Sequence, residues 1–114
     1  MPLYGTVPNP VLFPGSQCKA FDNESPSAAD ASIGVAIGPD PLGHYDFTAV
    51  VEYASAPAST DILIQQETPS GNWLTIAESK NTGGEIIADS GTSPRTIRAL
   101  QNGSATGVTV TIQR

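Results

Sequence analysis

The sequence predicts an all-β chain, a small antiparallel β-sandwich entered by an extended, Pro-rich N-terminal arm. Three observations carry that expectation. Residues 1–43 hold seven of the ten prolines, apolar and polar residues alternate in short runs from position 44 onward, and Gly, Pro, Asn, Asp and Ser cluster between those runs. Period two with frequent breakers marks strands that bury one face, whereas an amphipathic helix needs period 3.6.

The arm comes first. Residues 1–17 (MPLYGTVPNPVLFPGSQ) carry no charge, four prolines and the large apolar side chains Leu3, Tyr4, Val11, Leu12 and Phe13. Prolines remove backbone donors and exclude helix, so the segment is extended and its apolar groups need a surface to lie on. It lacks the positive start and continuous apolar run of a secretory signal, and it reads as mature protein. Residues 25–32 (SPSAADAS) fit a short helical turn capped by Asp22, Ser25 or Ser27. Residues 38–43 (GPDPLG) are a strong turn signal. They separate an arm and linker, 1–43, from a sandwich domain, 44–114.

Within the domain, residues 45–54 (YDFTAVVEYA) place Phe47, Ala49, Val51 and Tyr53 on one face. In residues 60–67 Ile62 and Ile64 share a face, and in 73–78 Leu74 and Ile76 do so; the five residues between, 68–72 (TPSGN), make the two runs a hairpin. A short strand spans 85–88. Residues 95–101 (RTIRALQ) and 107–113 (GVTVTIQ) read as a closing hairpin, with Val108, Val110 and Ile112 inward. Ile97 and Leu100 differ in parity, which suggests a bulge near Arg98. With residues 33–37 (IGVAI) added there are about seven or eight strands, the number expected of a jelly-roll or Ig-like sandwich.

Charge and composition narrow the function. A net charge of −6 with only five basic residues, Lys19, Lys80, Arg95, Arg98 and Arg114, argues against nucleic acid as a partner. No run is long enough to span a bilayer as a helix. The single cysteine, Cys18, and single histidine, His44, supply neither a disulfide nor a zinc shell, and an arm thiol with a turn imidazole makes a poor catalytic pair. Asp40, Asp46, Asp61 and Asp89 lack calcium-loop spacing, and no glycine-rich run has phosphate-loop spacing. The expectation is a non-enzymatic chain with no metal and no cofactor.

The residues singled out for contact with partners are Leu3, Tyr4, Val11, Leu12, Phe13, Trp73, Arg95 and Arg98. By alternation Trp73 lies on the face opposite Leu74 and Ile76 and projects from the sandwich exterior. It is there packed under a loop or the arm, an interface anchor, or a sugar-stacking platform. Arg95 and Arg98 read as surface charges pairing with Glu85 or Asp89, or as intersubunit contacts.

The strand 45–53, the hairpin through Ile62-Leu63-Ile64-Gln65 and Trp73-Leu74-Thr75-Ile76, and the ending Arg95-Thr96-Ile97-Arg98-Ala99-Leu100 followed by Val108-Thr109-Val110-Thr111-Ile112 together resemble small virion proteins of tailed bacteriophages, of the capsid decoration or cement type. The likeness covers about the last 70 residues. It implies a virion protein made in the host cytoplasm that sits on the capsid exterior, binds the major capsid protein and stiffens the shell. Association into dimers or trimers is expected as well. The alternatives are a tail or neck adaptor or fibre-base protein, and a carbohydrate-binding or adhesin module using Trp73, Tyr45 and Tyr53.

Overall fold

A computed structural model describes residues 10–55, 62–79, 84–103 and 105–114. They form nine strands and no helix: β1 (Val11–Leu12), β2 (Gln17–Glu24), β3 (Val35–Ile37), β4 (Phe47–Ser55), β5 (Ile62–Glu67), β6 (Trp73–Glu78), β7 (Glu85–Asp89), β8 (Arg95–Gln101) and β9 (Thr106–Gln113). One sheet has the order β1-β3-β8-β5-β6 and the other β2-β9-β4-β7. All pairings are antiparallel except β1 with β3. Residues of both sheets meet in one apolar cluster, a sandwich architecture.

The pairing follows a simple rule. About the β5–β6 hairpin, β4 pairs with β7, β3 with β8 and β2 with β9. Two further pairs, β5 with β8 and β4 with β9, join the resulting antiparallel ribbon to itself. Alternation supplies the reason for the layering. Phe47, Ala49 and Val51 of β4, Ile62 and Ile64 of β5, and Val108, Val110 and Ile112 of β9 are all buried, as their period-two spacing predicts. The five-residue loop between β5 and β6 is closed by Thr68 and Asn72, whose backbones and side chain bond across it.

Several expectations are corrected. Residues 17–24 and 35–37 are not arm or linker: β2 and β3 are sheet strands, and Phe21 and Val35 are fully buried. β2 is hard to see in sequence because it is an irregular edge strand. Register shifts on either side of Phe21 turn two successive residues, Ala20 and Phe21, into the core, and break the alternation that would have announced it. Residues 25–32 form no helix; a turn places Ala29 at φ 70°, closed by Asp30 bonding back to Ser27 through backbone and carboxylate.

The β8–β9 hairpin does not exist, because the two strands belong to opposite sheets. Both bury apolar residues on the inner face, so the chain gains more by crossing the core than by continuing along one sheet. Gln101 makes that corner: its buried amide donates to Ala105 O at 3.0 Å and to Pro26 O at 3.4 Å, and accepts from Gly103 N at 3.1 Å. Nor is β8 bulged at Arg98. It alternates without a break because Arg95 and Gln101, both polar, take inward positions while Leu100 faces out. The irregularity lies instead between Ile64 and Gln65, opposite β6. There Leu74 is 61% exposed and Ile76 39% exposed, so the face expected to be buried is largely open.

If residues 17–24 belong to the core, Phe21→Ala removes a fully buried ring. The expected loss is about 3–5 kcal/mol in urea unfolding.

Candidate functional site

The outer face of the five-stranded sheet presents a group of side chains tied to one another. Strict alternation in β8 sends Thr96 and Arg98 outward, and pairing sets Gln65 of β5 opposite both Arg98 and Thr75 of β6. Trp73, the first residue of β6, stands opposite Glu67. Its indole reaches back across the sheet over Arg98, whose guanidinium carbon lies 4.3 Å from the ring centroid, within cation–π range. Arg98 is held in turn, donating from Nε to Gln65 Oε1 at 2.8 Å, while Gln65 donates to Thr75 Oγ1 at 3.3 Å. Burial beneath the indole lowers the Arg98 pKa, against the opposing influence of Glu67, and a guanidinium stays charged regardless.

Gly34 completes the seat. A Cβ at this position would lie 2.9 Å from Thr96 Cγ2, too close for the threonine to stay where it is, and at contact distance, 3.4 Å, from the indole. The half-buried indole borders a cavity of about 280 Å³ lined by Pro10, Gly34, Ala36, Glu67, Trp73 and Thr96. Trp73 thus projects from the exterior, as alternation predicts, and packs on Arg98. Tyr45 and Tyr53 are elsewhere: both pack against the core, and Tyr53 donates to Ser79 Oγ at 2.8 Å.

The other expected contact residues divide. Leu3 and Tyr4 lie outside the described residues. Leu12 is buried in the core and is not available to a partner. Val11 and Phe13 are each 53% exposed, with the Phe13 ring resting on Gly38. Arg95 is the plain correction. Its side chain is buried between the sheets, where it pairs with Asp89 of β7, donates to Gln66 Oε1 at 3.1 Å and stacks 4.9 Å above the Phe47 ring. It joins β8 of one sheet to β4 and β7 of the other. The expected pairing with Asp89 is present, but as an internal bridge. Sequence reasoning missed Ile86, exposed on β7, because alternation cannot tell which of Ile86 and Ile87 faces the core.

Cys18 lies half-buried in β2, and desolvation pushes its thiol pKa up. Asp40 accepts from the His44 and Leu42 backbone amides, which hold its carboxyl below the usual range, and its other oxygen lies 3.6 Å from His44 Nδ1. Arg114, beside a second cavity of about 420 Å³, is bound to the His44 and Asp46 carbonyls. These charges close loops. Among the described residues no three His, Cys, Asp or Glu side chains converge as a metal site. No protein-family model, curated protein or solved structure matches the chain.

Breaking the Arg95 bridge with Arg95→Ala should cost about 2–3 kcal/mol by denaturant unfolding, less than for a fully buried pair because Asp89 is 41% exposed. The thiolate is the reactive form, so the raised pKa makes Cys18 alkylate more slowly at mildly alkaline pH than the unfolded chain does, and the two rates converge at higher pH.

Proposed function

We propose that this chain is a non-enzymatic virion structural protein that binds the major capsid protein shell of a tailed phage from outside and stabilises it. The observation that carries the reading is the strand order. Pairs β2·β9, β3·β8, β4·β7 and β5·β6, divided into sheets β2-β9-β4-β7 and β3-β8-β5-β6, are those of a ribbon rolled up as an eight-stranded jelly roll, with β1 added at one edge. Viral shell domains are prominent users of that fold, alongside lectins and cupins. A fold hosts many functions, so the surface must support the reading too.

It does so through its edges. Val11 lies in β1 and Phe13 just after it, at one edge of the five-stranded sheet, while Leu74 and Ile76 lie on β6, the other edge. Ile86, 72% exposed, lies on β7, the edge of the second sheet. Edge strands are usually guarded by lysine, proline or a bulge. β2 has Lys19 and two register shifts; β7 has a regular register and none of these guards. Apolar groups at both lateral edges suit a subunit with neighbours on two sides, whether shell subunits or further copies, and head-to-tail contacts of this kind close into rings or spread as lattices. The acidic body keeps the free protein soluble and complements a basic shell surface.

Purified protein should co-sediment with expanded heads and be present in hundreds of copies per particle; about a dozen or fewer would assign it to the tail instead. Ile86→Lys should weaken head binding about ten-fold or more with the fold retained. Failure to bind heads, with virions lacking the protein equally heat-tolerant, overturns the reading.

A further inference from the structure

We infer that the Trp73 seat on the outer face of the five-stranded sheet is a binding site for a neutral glycan, taking one pyranose ring. This goes beyond the shell-binding reading and does not depend on it.

The indole is placed as a platform. Arg98 supports its ring at 4.3 Å, Arg98 is itself tied to Gln65, and the absence of a side chain at Gly34 leaves room beside the ring and Thr96. A tryptophan needed only for stability would gain most by burial in the core, yet this one stays half-exposed and borders a cavity. The ligand class follows from the surroundings. A pyranose has an apolar C–H face and a rim of hydroxyls. An aromatic ring matches the first, and Glu67 and Thr96, polar residues that line the cavity, match the second. At about 280 Å³ the cavity is below the usual size for drug-sized ligands and suits a single sugar ring.

Charge selects against acidic sugars. The chain carries a net charge of −6, Glu67 stands at the rim, and Arg98, the nearby cation among the described residues, is engaged by Gln65 and the indole. An added peptide strand is disfavoured by position, since the cavity lies on a sheet face and strand addition needs a free edge.

Trp73 is the sole tryptophan, so its fluorescence reports on the site directly. The full chain is titrated with neutral glucose-, galactose- and mannose-based oligosaccharides and with sialylated and uronic-acid glycans. A saturable change in tryptophan emission with a neutral glycan is expected, together with weaker or no response to the acidic set. By calorimetry Trp73→Ala should weaken binding about ten-fold or more, the loss of a central aromatic anchor. Should that variant fail to fold, Gly34→Val, whose side chain crowds Thr96 and takes up space in the cavity, and Glu67→Gln, which alters only the rim, are expected to weaken binding in its place. The inference is overturned if no neutral glycan changes the emission, if only acidic glycans or peptides bind, or if the folded variants bind as well as the parent. A chain that binds phage heads and ignores every glycan loses this site and keeps its proposed function.

Discussion

The central strands β4, β5, β8 and β9 each turn one mostly apolar face inward, and the two sheets lay those faces onto the same apolar layer. β9 sits at the middle of this arrangement, paired on one side with β2 and on the other with β4, and its Val108, Val110 and Ile112 have no exposed surface. Burial at roughly 25 cal/mol per Å² makes such a layer the main favourable term for a small domain. Rolling the antiparallel ribbon about the β5–β6 hairpin lets it bring β2 and β9, far apart in the chain, onto that layer. The rest of the fold is the set of connections that this rolling requires.

Those connections carry polar groups into dry places, where Gln101, Ser32 and Arg95 find partners, while Arg114 Nε is buried without one. Gln101 pins the β8–β9 corner to the turn around Pro26 through both ends of its amide. Ser32 accepts from Ala99 N and donates to the Ile33 carbonyl, tying the approach to β3 onto β8. Arg95 links the sheets near the opposite end of β8. Buried polar groups cost free energy unless paired, so such contacts favour one arrangement of the sheets over its alternatives.

The outside of the sandwich is used unevenly. The edges bear exposed valine, leucine, isoleucine and phenylalanine, whereas one sheet face bears an aromatic ring seated on a cation and a glycine. The two features sit at different places and serve different chemistry: edges suit extended contacts with neighbours, and a seated ring suits a compact ligand.

Sequence alone determined the all-β class, the inward faces of β4, β5 and β9, the five-residue hairpin loop and the outward position of Trp73, because period two is a local property of the chain. It also disclosed that the first seventeen residues are uncharged and apolar. Only the tertiary structure decided that β2 is a sheet strand, that β8 and β9 face each other across the core, that Arg95 is internal while Leu74 is open, and that Gly34 lies against Thr96 and the indole. The reason is physical. Alternation says that a strand has two faces, but which sheet it joins depends on pairing between residues far apart in sequence, and which apolar face stays open depends on where the opposite sheet ends.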